Sequence, residues 1–132
     1  MIYLDSCILI YAVEDEGERG GAARQALADH ADAELVVSPL VVMECITGPL
    51  KRGDLALVDY YRSILASAAR APFDEEVFVR AADLRARHAL STPDALHLAA
   101  AQKAGCSALW TNDRRLERAA HGLAVAIVAE KL

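Results

Sequence analysis

Short apolar runs that end at polar or turn-forming residues divide the chain at four places. Each run is too short for a helix and is rich in aliphatic residues, which is typical of strands buried in a sheet. The predicted strands are Ile2–Leu4, Leu35–Val37, Ala108–Trp110 and Ala124–Val128. Asp5 follows the first strand directly, and the turn-like sequence Thr111-Asn112-Asp113 closes the third.

The segments between these runs have the patterns of helices. Asp54–Arg70 and Asp74–His88 carry apolar residues three or four positions apart with charges between them, which predicts two amphipathic helices. A hydroxyl residue before a proline marks two more helix starts, with Ser38 and Thr92 as the predicted N-caps. Glycines are expected to interrupt or end helices at Gly48-Pro49, Gly53, Gly105 and Gly122.

The alternation of strands and helices predicts the fold class. Strands joined through helices pair in parallel by right-handed crossovers, which places helices on both faces of the sheet. We therefore expect an α/β fold, a three-layer α/β/α sandwich with a central, mainly parallel sheet of four to five strands. Residues 1–132 are interpreted as a single domain, since no linker or repeat divides them. Ligands of such sheets bind beyond the carboxyl ends of the strands, where Asp5 and Asp113 fall.

Composition narrows these expectations. Hydrophobic residues make up 55% of the chain and aromatic residues 5%, so the core must be packed mainly from Ala, Leu and Val. The chain begins without a basic leader and has no apolar run of the roughly 18 residues that span a membrane, so we expect a cytoplasmic protein. Its three cysteines, Cys7, Cys45 and Cys106, form no CxxC pair and are expected to be reduced, buried thiols.

Four acidic residues stand in unusually apolar surroundings. Each lies in a run of at least ten positions without another charged residue, if His97 is neutral. The four are Asp5, Glu44, Asp94 and Asp113. An isolated ionised carboxylate in a core-like environment has a desolvation cost of several kcal/mol, so it must be neutral, paired or bound to metal.

Each acid has a simpler explanation when it is taken alone. Asp5 fits a helix cap, Asp94 fits a first-turn acid favoured by the helix dipole, and Asp113 fits a turn. Glu44 fits a pair with a distant arginine. The joint pattern favours a shared site, because Asp5 and Asp113 lie at strand ends and Asp94 lies in a first helical turn, with Glu44 able to lean over the same edge.

A shared site of carboxylates requires a counter-charge. Clustered carboxylates repel one another, and an all-oxygen site suits a hard ion such as Mg²⁺ or Mn²⁺. No Cys/His cluster with zinc-like spacing competes. A bound ion also answers the objection that a net charge of -5 disfavours contact with phosphates, because the ion reverses the local field. The expected chemistry is therefore phosphoryl or phosphodiester transfer.

At these residues the sequence resembles the PIN-domain family, and specifically the VapC-type toxins of bacterial and archaeal toxin-antitoxin pairs. The resemblance covers essentially the whole chain and follows four motifs in order. These are Ile2-Tyr3-Leu4-Asp5-Ser6, the segment 38–44 that ends in Glu44, the segment 92–101 that contains Thr92-Pro93-Asp94, and the segment 110–116 that contains Asn112-Asp113. The third motif is the most specific.

The resemblance implies a PIN-like fold and a metal-dependent endoribonuclease, the toxin component of a type II (VapBC-like) system that hydrolyses RNA phosphodiester bonds. Asp5, Asp94 and Asp113 would hold Mg²⁺ or Mn²⁺, and Glu44 would help to position the ion or accept a proton. The family also implies a homodimer and a cognate VapB-like antitoxin. Neither partner is visible in the sequence itself.

Further residues near the four acids are weaker candidates. Ser6, Thr111 and Asn112 are candidates to fix the carboxylates by hydrogen bonds, although turn or cap roles explain each equally well. Arg114 and Arg115 are candidate phosphate contacts. His97 lies one turn after Asp94 and is interpreted first as a satisfied, partly buried histidine, with a place in the site as the alternative.

Three rival interpretations fit less well. A haloacid-dehalogenase-like phosphatase needs a second Asp two residues after the first, and Cys7 stands there. A response-regulator receiver needs paired early acids and a lysine near the last strand, which Ala124–Val128 does not provide. A PIN-like domain that serves only as an interaction module typically loses its site acids, and this chain keeps all four.

Overall fold

The computed structural model describes residues 1–120 and 123–127, with no side chains described for 124–127. This part of the chain contains five strands: β1 Ile2–Leu4, β2 Leu35–Val37, β3 Ala69–Arg70, β4 Ala108–Thr111 and β5 Ala124–Ile127. Its α-helices are α1 Ser6–Glu14, α2 Glu18–Asp29, α3 Pro39–Arg52, α4 Leu55–Ala66, α5 Glu75–Arg87 and α6 Thr92–Lys103. A 3₁₀ helix covers Arg114–Ala119.

The strands form one parallel sheet in the order β3-β2-β1-β4-β5. This confirms the predicted α/β fold, with helices flanking a central parallel sheet. From β1 the chain builds the sheet first towards β3 and then returns beside β1 to add β4 and β5. The connections therefore diverge at the carboxyl ends of β1 and β4, which is where such sheets hold ligands.

Helix α6 lies at the centre of the packing, and its sequence explains why. The seven consecutive residues from 95 to 101 are all buried, and four of them are alanines. A helix that is apolar on every side is enclosed by other elements rather than lying on the surface. The small side chains allow close packing, and α6 packs against α5 and β4. The predicted Ala-rich core is thus concentrated in the helix that also carries Asp94.

The first two strands and helix α5 agree closely with the sequence predictions. β1 and β2 have the predicted bounds, and β4 is one residue longer than expected. Helix α5 lies between its caps Asp74 and His88, with the Asp74 carboxylate accepting a hydrogen bond from the Val77 amide. Val128, at the end of the last predicted strand, lies outside the described residues, as does Gly122.

The helix predicted over Asp54–Arg70 was too long. Helix α4 ends at Ala66, and Ala69–Arg70 forms β3, an edge strand that pairs with β2. The Ala71 amide continues this pairing with a hydrogen bond to the Val37 carbonyl at 2.9 Å. Alanines have little strand preference of their own, so the neighbouring strand determines this conformation.

Two predicted helix boundaries were also wrong. Gly48-Pro49 does not interrupt α3, because Pro49 lies near the end of the helix, where a missing amide and ring clash disturb few bonds. The helix ends instead at Gly53, whose φ of 69° is the left-handed conformation that glycine adopts without strain. In α6 the N-cap is Ser91 rather than Thr92, since the Ser91 hydroxyl accepts a hydrogen bond from the Asp94 amide at 3.3 Å.

The remaining expectations concern the thiols and the membrane. All three cysteines are free, as predicted, and Cys45 and Cys106 are buried, whereas Cys7 is only partly buried. Burial raises the pKa of Cys45 to about 12, with smaller contributions from the Glu44 and Asp5 carboxylates. Among the described residues, no helix combines the length and apolar character needed to cross a bilayer.

Candidate active site

Asp5 lies at the carboxyl end of the central strand. Leu4 of β1 pairs with Trp110 of β4, and the Asp5 amide donates to the Trp110 carbonyl at 3.0 Å. This register places Asp5 beside Thr111, whose hydroxyl donates to Asp5 Oδ2 at 2.8 Å. Asp5 occupies the N-cap position of α1, but its side chain makes no capping hydrogen bond. Its carboxylate is therefore directed to the sheet edge, and the capping explanation does not account for it.

Glu44 reaches the same edge from α3. Ser6 donates a hydrogen bond to Glu44 Oε1 at 3.0 Å and a longer one to Asp5 Oδ1 at 3.4 Å, so one hydroxyl bridges the two acids. Burial works to raise the pKa of Glu44, but the hydrogen bonds from His97 and Ser6 and the charge interaction with His97 outweigh it and hold the pKa below its ordinary value. Glu44 is therefore ionised at neutral pH.

His97 of α6 is the strongest partner of Glu44. Its Nε2 lies 2.6 Å from Glu44 Oε1 and 3.7 Å from Asp5 Oδ1. One ligand atom from each of these three side chains falls within 4.8 Å of the other two. The ring is 1% exposed, so the histidine is buried and satisfied, as the first interpretation held, and it also lies in the site.

A buried chain of hydrogen bonds continues behind His97. Its Nδ1 lies 2.8 Å from the Tyr3 hydroxyl, which lies 2.7 Å from the Ser38 hydroxyl. Two sets of directions satisfy every group. With a neutral ring, Ser38 donates to Tyr3 and Tyr3 donates to Nδ1; with a protonated ring, Nδ1–H donates to Tyr3 and Tyr3 donates to Ser38. In both, Nε2–H donates to Glu44. Both ring nitrogens are then in use. His97 thus orients Glu44, and while this bond is made its Nε2 is held by Glu44, within the group of candidate ligand atoms.

Asp94 lies in the first turn of α6, half-buried, on the side of Asp5 and Asp113. Burial raises the pKa of its carboxyl, and the negative charges of Asp5 and Asp113 raise it further. Such repulsion weakens with distance and with exposure to solvent. Asp94 thus lies near enough to feel the charges of Asp5 and Asp113, whereas the group of candidate ligand atoms within 4.8 Å of one another, among the described residues, consists of Asp5, Glu44 and His97.

Asp113 differs from the other acids because it has a guanidinium partner. Arg115 Nη2 lies 2.8 Å from Asp113 Oδ2, its Nε lies within 3.2 Å of both carboxylate oxygens, and its amide donates to Oδ1 at 3.0 Å. The Arg115 guanidinium holds the pKa of Asp113 below its usual range. Asp113 also begins the 3₁₀ helix, so the expected turn role is present.

Comparison with known proteins identifies the family to which this arrangement belongs. Residues 2–122 match the family model of the PIN domain. The chain belongs to the PIN-domain family. Over 98% of its length this PIN domain is 32% identical to ribonuclease VapC35 of Mycobacterium tuberculosis, of which it covers 96%. That relative supports the VapC-type resemblance of the four motifs.

Solved structures share the fold of this PIN domain. A toxin-antitoxin complex from Klebsiella pneumoniae contains a chain that is 24% identical with a TM-score of 0.79, over 99% of this chain and 100% of that one. VapC20 of Mycobacterium tuberculosis, described as a sarcin-ricin loop cleaving toxin, is 19% identical with a TM-score of 0.76, over 90% and 95% of the two chains. At these identities the likeness establishes the fold.

The weaker site candidates of the PIN domain separate into two groups. Ser6 and Thr111 hydrogen-bond to Asp5, as a carboxylate-fixing role requires. Asn112 instead donates to the Tyr11 hydroxyl at 2.6 Å, and among the described residues its side chain forms no hydrogen bond with any of the four acids. Arg114 pairs with Glu117, three residues along the 3₁₀ helix.

Sequence reasoning missed the group that supports Glu44. The spacing of His97 from Asp94 gave a signal, because residues three apart share a helix face. Nothing in the sequence pointed to Tyr3 and Ser38, which look like an ordinary strand residue and an ordinary cap. Ser38 does occupy the N-cap position of α3, but its side chain makes no capping bond and turns to Tyr3 instead.

Proposed function

We propose that this chain is an endoribonuclease that requires Mg²⁺ or Mn²⁺, with Asp5, Glu44, Asp94 and Asp113 as its active site. The observation that supports the proposal is that Asp5 and Glu44 have ligand atoms within 4.8 Å of each other, while the charges of Asp5 and Asp113 act on Asp94. Burial raises the pKa of Asp94, and repulsion by Asp5 and Asp113 raises it further, which supports a shared site. Similarity to a ribonuclease over nearly the whole chain supports RNA as the substrate.

The donor set fits a hard divalent ion. Asp5 and Asp94 supply carboxylate oxygens that repel one another, and neither forms a salt bridge with an arginine or lysine in the described part of the chain, although the Arg115 charge also acts on Asp94. Glu44 and Asp113 border the same space. The four acids offer only carboxylate oxygens, which favours magnesium or manganese over zinc, and His97 Nε2 is paired with Glu44.

The ion pair with Arg115 changes the role that we propose for Asp113 as a metal ligand. While the Arg115 guanidinium is paired with the Asp113 carboxylate, the negative charge of Asp113 is compensated. Asp5 and Asp94 are then the principal ligands of the ion. The Arg115 side chain is 71% exposed, and an exposed ion pair of this kind contributes little to stability. Asp113 therefore joins the ligand set at small energetic cost when Arg115 moves away.

The ion supplies positive charge for the phosphoryl oxygens and lowers the pKa of a nearby water. The chain contributes the orientation of the groups around it. Ser6 and Thr111 hold the Asp5 carboxylate in place, and Ser6 and His97 hold Glu44 through Oε1. Glu44 Oε2 makes no hydrogen bond to the described residues, so it is the oxygen that accepts a proton from the attacking water.

We propose further that the protein is the toxin of a type II toxin-antitoxin pair and acts in the cytoplasm as a homodimer. Its proposed partner is a VapB-like antitoxin. The support is the similarity to VapC35 and the fold shared with a chain from a toxin-antitoxin complex. Co-purification of the chain with the product of a neighbouring gene, and relief of growth arrest by that product, would test this pairing.

The activity is tested with purified protein and a fluorogenic RNA oligonucleotide. Cleavage is expected with added Mg²⁺ or Mn²⁺ and is expected to stop with excess EDTA. Asp5→Asn and Asp94→Asn are expected to abolish cleavage, since each removes a principal ligand while preserving size.

Asp59→Asn provides the matched control for these variants. Asp59 is exposed on α4, so this variant makes the same change of charge and is expected to cleave normally. Circular dichroism would establish that all three variants are folded. Cleavage at the wild-type level by both Asp5→Asn and Asp94→Asn would refute the proposed active site.

A further inference from the structure

A pocket lined by basic side chains lies beside the acidic cluster. It occupies about 290 Å³ between the end of α5 and the 3₁₀ helix. Its lining residues are Arg87, His88, Ala89, Leu90, Arg115 and Arg118, with no acidic residue among them. The other two pockets along α5 that contain charged residues both include Asp83. The chain therefore presents an unusually positive concavity on a protein whose net charge is -5.

Arg115 connects this pocket to the proposed active site. Its guanidinium holds the Asp113 carboxylate while its side chain forms part of the pocket lining. A ligand that fills the pocket is therefore in contact with a residue that touches the acidic cluster. A polymer with repeated negative charges is able to occupy both places at once.

The other two arginines are available to an anion. Arg118 forms no hydrogen bond or ion pair within the described part of the chain and is exposed. Arg87 pairs with Asp83 one turn earlier on α5, with both side chains at least 60% exposed. Surface pairs of this kind are weak and exchange readily with solvent or ligand. The guanidinium groups can thus turn to phosphate oxygens, which they bind in bidentate fashion.

We propose that this pocket binds backbone phosphates of the RNA strand next to the bond that is cut. That the bound strand is RNA rests on the proposed function. That the pocket binds phosphates rests only on the positive side chains that line it. An acidic active site repels a polyanion, so a nearby positive surface is needed to hold the strand in place.

The dipole of α5 provides an alternative explanation for part of this pattern. Arg85 and Arg87 lie in the last turn of α5, where cations are favoured by the negative end of the helix. Arg118 belongs to the 3₁₀ helix, so that explanation does not extend to it. Arg118 is therefore the decisive residue for an experiment.

The experiment compares Arg118→Gln and Arg87→Gln with Arg62→Gln. Arg62 is exposed on α4 and lines none of the pockets described here, so it controls for the loss of one positive charge. Binding is measured by the fluorescence anisotropy of a labelled single-stranded RNA, with each variant placed in an Asp94→Asn background in the presence of Mg²⁺. Cleavage by the single variants is measured separately, with kcat and KM determined for each.

The pocket variants are expected to bind RNA about three- to tenfold more weakly than the control, as the loss of one charge-assisted phosphate contact implies. The slope of log K against log salt is expected to fall by about 0.7, the value for one phosphate contact with a single strand. KM is expected to rise with kcat unchanged, because the pocket does not touch the reacting bond.

The outcomes separate this proposal from the proposed activity. If the wild type cleaves RNA and both pocket variants behave like Arg62→Gln, the phosphate-binding pocket is refuted and the nuclease stands. If the wild type cleaves no RNA but the pocket variants still bind it more weakly, the activity is refuted and the pocket stands. Melting curves of the variants would detect any loss of folding.

Discussion

At the scale of single residues, the buried groups behind Glu44 determine how well the site is organised. His97, Tyr3 and Ser38 place three polar side chains in the core, each at most 1% exposed. Buried polar groups are tolerated only when their hydrogen bonds are complete, and here each finds its partner along the same chain. The cost of removing any member is therefore high.

Replacement of His97 tests its positioning role. His97→Leu leaves Tyr3 with one hydrogen-bond partner fewer and removes the donor to Glu44, so the free energy of unfolding is expected to fall by about 1–3 kcal/mol. His97→Gln keeps an N–H donor of similar reach. RNA cleavage by His97→Gln is expected to exceed that of His97→Leu by about tenfold or more, the effect of one hydrogen bond to a charged group.

Urea unfolding and steady-state kinetics of both variants provide the measurements. If His97 only stabilised the fold, the activity of each variant would change in step with its free energy of unfolding. Equal activity in two variants of unequal stability would therefore contradict the idea that His97 acts through Glu44.

At the scale of secondary-structure elements, close backbone approach and a few polar contacts join the helices. Helices α1 and α2 meet at Gly20, where an added Cβ would overlap the Asp15 carbonyl oxygen and lie 2.8 Å from the Tyr11 carbonyl oxygen. Gly21, the next residue, faces open space. Only one of the two glycines is therefore required by packing.

A matched pair of substitutions tests this contact. Gly20→Ala is expected to lower the free energy of unfolding by about 1–3 kcal/mol, because the backbone of α1 must move away. Gly21→Ala is expected to raise it by about 0.5–1 kcal/mol, because alanine loses less backbone entropy in a helix. Thermal melting of both variants is the measurement, and a loss of stability in Gly21→Ala would show that the helix–helix contact extends further than Gly20.

Helix α4 is attached to α1 through a buried tyrosine. The Tyr61 hydroxyl donates to Glu14 Oε2 at 2.6 Å, and Arg52 at the end of α3 pairs with Glu14 Oε1 at 3.0 Å. Burial raises the pKa of Tyr61 well above its ordinary value, and the Glu14 carboxylate raises it further. Deprotonation of this tyrosine is therefore linked to unfolding.

The pH dependence of stability follows from that shift. A group whose pKa is raised by folding stabilises the protein fully below its unfolded pKa, about 10 for tyrosine, and the contribution decreases as pH rises above it. Tyr61→Phe is expected to lower stability by about 1.5 kcal/mol at neutral pH, through loss of a hydrogen bond to a charged group. The difference between the two proteins is expected to narrow above about pH 10. Urea midpoints on both sides of that pH would measure it, and a constant difference would contradict the linkage.

At the scale of the whole molecule, the charge distribution separates an acidic cleft from a basic pocket. The cleft lies where the connections of the sheet diverge, and the pocket lies beside it, joined through Arg115. The net charge of -5 conceals this arrangement, because a total says nothing about position. The initial objection that an acidic protein disfavours RNA therefore loses its force.

Ion binding is expected to stabilise the whole fold. Mn²⁺ or Mg²⁺ at about a hundred times its Kd should raise the free energy of unfolding by about 2.7 kcal/mol, because the ion binds the native state. Asp5→Asn is expected to lose this effect, and the exposed-site control Asp59→Asn is expected to keep it. Melting temperatures measured with and without the ion give the result. An absent shift in the wild type, or an equal shift in Asp5→Asn, would count against an ion at this position.

Local patterns predicted those features that depend on neighbouring residues. The bounds of β1 and β2 follow from short buried runs, and the limits of α5 follow from helical spacing and an N-cap acid. The four acids were singled out because each is an isolated charge in an apolar stretch, which the sequence shows directly, and their role as a site stays a prediction. The edge strand β3 was missed because its conformation depends on hydrogen bonds to β2, thirty-odd positions earlier.

The sequence by itself determined the alternation of strands and helices and the Ala-rich core, and it supplied the four acids that we propose as the site. Hydrophobic spacing and capping act over a few residues, so these features can be predicted from the sequence alone. Only the tertiary structure decided which groups meet: His97 with Glu44, Tyr3 with Ser38 and Arg115 with Asp113. Such contacts arise from the register of strands and the packing of helices, and the energy of each depends on distances that residue order does not contain.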